Sequence, residues 1–311
     1  RGITHEGYFL DCWPAYDRLC RVMQRQLYLS KWGPILDHGI GFVFDCFHHY
    51  MYSGDLSSLE KPFAALVQFV EYLQSIRRSD GLLPVEDIGT PCVWMDHIAY
   101  RQTRHKKCAF NLYASAMLGN AFAPLCAAFG DTRLARDSQS LARNLLDAAI
   151  KHFWHPERGL FCVNLPWRSE EREDRFCDRS LATSILFDQC PGNNTEAALR
   201  MLVECPPEMG FSYPANACWR LWALAKAGRI DVILKDLRER WAALDSVRLN
   251  NTLQEDWEVI PDSTASEWSH CPVVPLYLFF MAIAGIKPLA PGFSRCEIRP
   301  QLGDLEHVSL V

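Results

Sequence analysis

Residues 109–153 read AFNLYASAMLGNAFAPLCAAFG DTRLARDSQSLARNLLDAAIKHF. Apolar residues return every three or four positions on both sides of Gly130-Asp131, the period of a helix buried along one face. A glycine where one such pattern stops, with an aspartate where the next begins, punctuates a helical hairpin. The stretch predicts two helices, over 109–129 and 132–153, joined by a tight turn.

The same pattern extends outward in both directions. It predicts helices over 13–28, 40–53, 57–78, 176–188, 195–204, 213–227, 230–245 and 268–285, with Gly54-Asp55 and Gly228-Arg229 as further turns. The chain is therefore mainly α. Longer connections at 80–108, 155–175 and 247–267 are rich in aromatic and acidic residues. Short turns alternating with long loops are the connections of a toroid of helical hairpins, with the long loops on one rim, where a site belongs. No sequence repeat of fixed period is present, which argues against the usual solenoids. Beyond Pro291, Phe293-Ser-Arg-Cys-Glu-Ile-Arg alternates with period two before Pro300 and Gly303-Asp304 make a turn. Two domains are expected: 1–290 helical, and 291–311 the start of a truncated C-terminal β-sandwich module.

Composition narrows the function. Of 311 residues, 49% are hydrophobic and 22% charged, which is enough apolar surface for a sizeable core. The net charge is -5 and the 32 Lys and Arg are scattered, so nucleic acid is not an expected partner. The most apolar run, 273–286, is short for a membrane span and interrupted by Pro275, so no membrane partner is expected. The chain opens on Arg1 with no leader pattern and reads as excised from a longer one. Thirteen cysteines, an odd number, follow no repeating frame, and Cys46, Cys126, Cys218 and Cys271 lie in apolar helical stretches. That usage predicts reduced, buried thiols and a cytoplasmic compartment. Neither His48-His49 nor His105 has partners at ligand spacing, so neither metal nor cofactor is expected.

The long connections gather Trp, His, Asp and Glu in three clusters. They are 32–38, with Asp37 and His38; 84–97, with Glu86, Asp87, Trp94, Asp96 and His97; and 252–270, with Glu255, Asp256, Trp257, Glu258, Trp268 and His270. Aromatic faces suit the apolar sides of a sugar, and carboxylates and imidazoles suit its hydroxyls, so the clusters predict a carbohydrate pocket. Trp219, Trp222 and Trp241 sit at core spacing and read as packing. Asp37 has a second reading, as a helix cap.

The order of several motifs carries a resemblance. Tyr213-Pro-Ala-Asn-Ala-Cys-Trp-Arg-Leu-Trp, then Trp241, Asn251-Thr-Leu-Gln-Glu-Asp-Trp, His270, and Ala284-Gly-Ile-Lys-Pro-Leu-Ala-Pro-Gly-Phe with Ile298-Arg-Pro resemble the second half of the six-hairpin domain of bacterial α-L-rhamnosidases, glycoside hydrolase family 78. Asp37-His38 ahead of the Tyr-Ser-Gly-Asp55 helix end, and Val93-Trp-Met-Asp96 followed by Asn111, resemble earlier segments of that domain, so the likeness covers roughly 32–305. The resemblance implies an (α/α)6 barrel and an inverting hydrolase that removes terminal α-L-rhamnosyl or related deoxysugar residues from a glycoside. It places Glu255 on the general base, Asp37 and Asp96 on pocket acids, His270 on a sugar contact, and Trp94, Trp257 and Trp268 along the subsite. His38 and His97 complete the expected substrate contacts.

One segment departs from the family pattern. Residues 11–17, Asp-Cys-Trp-Pro-Ala-Tyr-Asp, have Tyr16 where the family's Asp-Cys-Pro-x-Arg-Glu-like run carries its general acid. The acid then lies upstream of this chain, has moved to a residue such as Glu86, Asp87 or Asp17, or is lost, leaving a protein that binds sugar without cleaving it. Asp96 against Glu255 is the pairing that would suit an inverting reaction, which needs carboxyls about 6.5–9.5 Å apart. An unsaturated-uronyl hydrolase on the same fold is the other enzymatic reading. It calls for several basic pocket residues, and only Arg101, Arg104 and Lys106-Lys107 lie near the second cluster.

Overall fold

The computed structural model describes residues 2–10, 35–88, 92–95, 97–258 and 274–309. They are mainly helical and fall into two compact units, Arg1–Met95 with Gln102–His152, and Asp96–Arg101 with Phe153–Val311. The helix expected over 13–28 and the first part of that over 268–285 lie outside the described residues.

The first unit holds α1 (Leu36–Ser53), α2 (Glu60–Ile76), α3 (Lys106–Met117), α4 (Ala123–Ala128) and most of α5 (Thr132–Phe153). The hairpin over 109–153 forms as its sequence dictates. α3 is buried at every position from Cys108 to Met117 and runs into α4 through a π turn at Leu118–Phe122. Gly130 then takes φ +82°, and Asp131 Oδ1 accepts the Leu134 N–H (2.8 Å), capping α5. α5 buries Ser138, Ala142, Leu145 and Ala149, one stripe at steps of four and three. It runs antiparallel to α3 and the π turn, for Ser115 Oγ donates to the Ala142 carbonyl (2.8 Å) and Gln139 Nε2 to that of Gly119 (2.9 Å). α1 starts at Leu36, earlier than its periodicity predicts, and ends at Gly54, which takes φ +73° and donates its N–H to Tyr50 (2.8 Å).

The second unit holds α6 (Arg168–Glu171), α7 (Asp178–Leu186), α8 (Glu196–Glu204), α9 (Cys218–Lys226), α10 (Ile230–Asp236), α11 (Asp245–Asn250) and α12 (Val274–Leu278). Phe176, Leu181, Leu202, Leu221, Leu224 and Ile233 close its core. At the start of the connection at 155–175, β1 (Trp154–His155) and β2 (Leu160–Phe161) make a short antiparallel hairpin that the sequence pattern did not signal. α9 begins only at Cys218 because Tyr213 to Ala217 form turns. α10 continues through a π turn to Trp241. Strands β3 (Ile286–Ala290) and β4 (Arg295–Ile298) pair antiparallel, and Leu302, Leu305 and Val308 beyond them pack on this unit's core.

Every cysteine among the described residues is a free thiol. Burial pushes Cys126 up to about 12 and Cys218 to about 11, so both are poor nucleophiles. No described helix is long and apolar enough to cross a membrane.

Candidate functional site

In the first unit the candidate residues gather where α1 begins. Ile35 bridges Cys92, and the Leu36 N–H donates to the Cys92 carbonyl (2.8 Å), so the 92–95 segment lies along the helix entrance. Asp37 is buried in the first turn of α1, where the helix dipole favours an acid. It does not cap its own helix. Its Oδ1 accepts the Trp94 N–H (2.7 Å) and its Oδ2 the Met95 N–H (3.0 Å). From the start of α3, Lys106 Nζ donates to the carbonyls of Val93 (3.2 Å) and Trp94 (2.6 Å), so the Trp94 backbone is held at both ends. The Trp94 ring is half-buried, with the Lys106 ammonium 6.0 Å from its centroid. His38 is exposed on the same turn as Asp37. Glu86 is exposed, and its main-chain carbonyl accepts from Arg78 (3.2 Å). The buried Asn111 amide exchanges two hydrogen bonds with the Leu83 backbone (2.7 and 3.0 Å), which fixes the chain that leads to Glu86.

In the second unit a buried carboxylate is the hub. His97 Nδ1 accepts the Ala99 N–H (2.9 Å), and its Nε2 lies 3.0 Å from Asp178 Oδ1. Asp178, in the first turn of α7, also receives the Ser212 hydroxyl on Oδ1 and the Ser212 N–H on Oδ2 (3.1 Å). Burial alone would raise this carboxyl, but the His97 ring 3.0 Å away and the hydrogen bonds from Ser212 outweigh it and hold it below the ordinary range. Ser212 passes the connection on, since its carbonyl accepts the Trp257 indole N–H (2.8 Å).

Trp257 is half-buried and already in contact on several sides. The Arg240 guanidinium sits 4.1 Å from its ring centroid and 3.8 Å from that of Phe211, and Trp241 meets it edge-on at 5.4 Å. A groove of about 270 Å³ opens beside it, lined by Arg240, Ala243, Leu244, Asp245 and Trp257. Glu255 is half-buried, two residues before Trp257. Its loop is pinned on the other side by the buried Gln254, which accepts the Ser246 N–H (3.1 Å) and donates to the Asp256 carbonyl (2.8 Å).

The structure thus joins Asp37 to Trp94 in one unit, and His97 to Trp257 through Asp178 and Ser212 in the other. Asp96, Trp268, His270, Asp11 and Asp17 lie outside the described residues. Asp178 and Ser212 carry this order and have no place in the sequence reading, which names Lys106 only as a basic residue near the second cluster. Asp178 stands in Phe176-Cys-Asp-Arg-Ser-Leu-Ala, where the adjacent Arg179 and Ser180 give it the look of an ordinary polar helix start, so its burial had no local signal. Among the described residues no group of three or more His, Cys, Asp or Glu is arranged to hold a metal ion.

No protein-family model matches the chain, and no curated protein matches it. Solved structures do. A GH78 family rhamnosidase of Bacillus sp. GL1 superposes with a TM-score of 0.72 at 19% identity, over 87% of this chain and 29% of its own. An α-L-rhamnosidase from Dictyoglumus thermophilum gives 0.70 at 14% identity, over 96% of this chain and 32% of its own. A rhamnosidase from Klebsiella oxytoca with rhamnose bound gives 0.64 at 19% identity, over 81% and 47%. The chain spans less than half the length of each of these proteins. At such identities the likeness shows the fold: a mainly α-helical domain of the kind these rhamnosidases contain.

Proposed function

We propose that this chain is the (α/α)6-barrel domain of an inverting glycoside hydrolase that removes terminal α-L-rhamnosyl or related deoxysugar residues. One observation carries the reading: the fold likeness over 81–96% of the chain falls on rhamnosidases, the group that the order of sequence motifs resembles independently.

In this reading Glu255 is the general base. It takes a proton from the water that attacks the anomeric carbon, while a second carboxyl, assigned in this reading to Asp96, protonates the departing glycosidic oxygen. The arrangement around Glu255 supports the role, because Gln254 and Trp257 hold its loop on either side. Glu255 is half-buried, and among the described residues its carboxylate makes no hydrogen bond or ion pair. Trp94, held by Asp37 and Lys106, offers a half-buried aromatic surface to a sugar.

A second reading, sugar binding without cleavage, has its own observation in its favour: Tyr16 at the position of the family's acid. Hydrolysis of 4-nitrophenyl α-L-rhamnoside beside other aryl glycosides, by the full-length protein and its Glu255→Gln variant, separates the two. Cleavage lost in the variant supports the hydrolase. No cleavage by either, with saturable rhamnose binding by calorimetry, supports the binding protein.

A further inference from the structure

We propose that Asp178 is the positioning residue for the Glu255 loop: one buried carboxylate holds His97 on one side and, through Ser212, Trp257 on the other. The inference rests on the reading of Glu255 as the general base, and it concerns a residue to which neither the sequence motifs nor the fold likeness assigns a role.

The geometry argues for positioning rather than chemistry. Asp178 is 2% exposed, too deep to touch a sugar. A carboxylate so placed is costly unless its oxygens are satisfied, and here His97 Nε2, the Ser212 hydroxyl and the Ser212 N–H all converge on it. Those donors come from segments 81 and 34 residues away in sequence, so the carboxylate fastens α7 to two separate loops. The next link is equally specific. Ser212, its N–H and hydroxyl fixed on Asp178, presents its carbonyl to the Trp257 indole at 2.8 Å, and Trp257 follows Glu255 by two residues. Glu255 therefore sits between two anchors, Gln254 on α11 and Trp257 on Ser212, and only the second runs through Asp178. The His97 side is reinforced at its neighbours, where the Tyr100 hydroxyl meets Cys177 Sγ at 3.4 Å and Ile98 packs against Gly210.

The test uses the full-length protein labelled with 5-fluorotryptophan, with the Trp257 resonance assigned through Trp257→Phe and a reference resonance through Trp154→Phe. In Asp178→Asn, Trp257 is expected to shift or broaden while Trp154 holds, with a cooperative thermal transition retained. Turnover of 4-nitrophenyl α-L-rhamnoside is expected to fall by about 10²-fold, in kcat more than in KM, as for a catalytic group displaced by about an ångström. Combining Asp178→Asn with Glu255→Gln is expected to add little to the loss from Glu255→Gln alone. Ser212→Ala, which removes one donor and leaves the His97 contact, shows the same changes more weakly and decides the matter should Asp178→Asn not fold. A folded variant with Trp257 unmoved overturns the proposal, and so does a moved Trp257 with unchanged kcat. If the parent protein cleaves no glycoside, the hydrolase reading fails by itself, and the Trp257 resonance alone then upholds or overturns the link from Asp178 to the loop.

Discussion

Asp37 and Trp94, separated by 57 positions, are joined by a 2.7 Å hydrogen bond from the Trp94 N–H to the Asp37 carboxylate, with the Met95 N–H on the other oxygen. A single side chain at a helix entrance thus fixes the backbone of an aromatic loop. Asp37→Ala leaves the part-buried Trp94 N–H and the buried Met95 N–H without an acceptor and is expected to cost about 2–6 kcal/mol, at 1–3 per orphaned group. Asp37→Asn keeps one acceptor and costs less. Urea denaturation reads both, and equal stability of the Ala variant and the parent would remove the structural role.

Glu255→Gln keeps the shape of the side chain but cannot take a proton. Loss of a general base lowers turnover by about 10²–10⁴-fold. The reading further predicts that rhamnose still binds the variant in calorimetry with little change in affinity, since activating water is not a binding task. A variant that retains the parent's kcat eliminates Glu255 as the base.

Asp178 gives stability a defined pH dependence. Its folded value lies below the unfolded one of about 3.9, because the adjacent His97 ring and the hydrogen bonds from Ser212 outweigh the desolvation that would raise it. On acidification the unfolded chain takes up this proton first. The contribution is therefore present above about pH 4 and is lost as the pH falls through the folded value. In Asp178→Asn the decline of unfolding free energy below about pH 4 is expected to be shallower than in the parent, by urea titration at several pH values. Parallel acid limbs would contradict this.

The contrast between α5 and Asp178 shows what a sequence makes legible. α5 runs over 132–153 as its pattern predicts, because its signals are local: Gly130 to leave the preceding helix, Asp131 to cap, and a stripe at steps of three and four. The Asp178 contacts reach 81 residues back and 34 forward, and nothing in Cys-Asp-Arg-Ser encodes either partner. Asp37 shows the intermediate case. Its place at the head of α1 was readable, whereas its bond to Trp94 depends on a parallel bridge between Ile35 and Cys92 that no periodicity announces. The short hairpin β1–β2 escaped for another reason, since strands of two residues are too brief to display alternation.

Gly285 and Gly130 both adopt the left-handed region, at φ +66° and +82°, yet they predict different costs on replacement. A Cβ at Gly130 meets nothing within 4 Å, so Gly130→Ala bears only the left-handed penalty of about 1–2 kcal/mol. A Cβ at Gly285 would stand 1.8 Å from the Arg299 carbonyl oxygen, backbone that cannot swing aside as a side chain would. The Arg299 N–H donates to the Gly285 carbonyl (2.9 Å) and the Gln301 N–H to that of Ile283 (2.9 Å), so relieving the clash breaks the pairing that seats the tail after β4. Gly285→Ala is therefore expected to destabilise the protein well beyond Gly130→Ala and to expose the amides of Arg299 and Gln301 to hydrogen exchange. Equal losses for the two variants, with those amides still protected, would mean that conformational strain alone explains the glycine at 285.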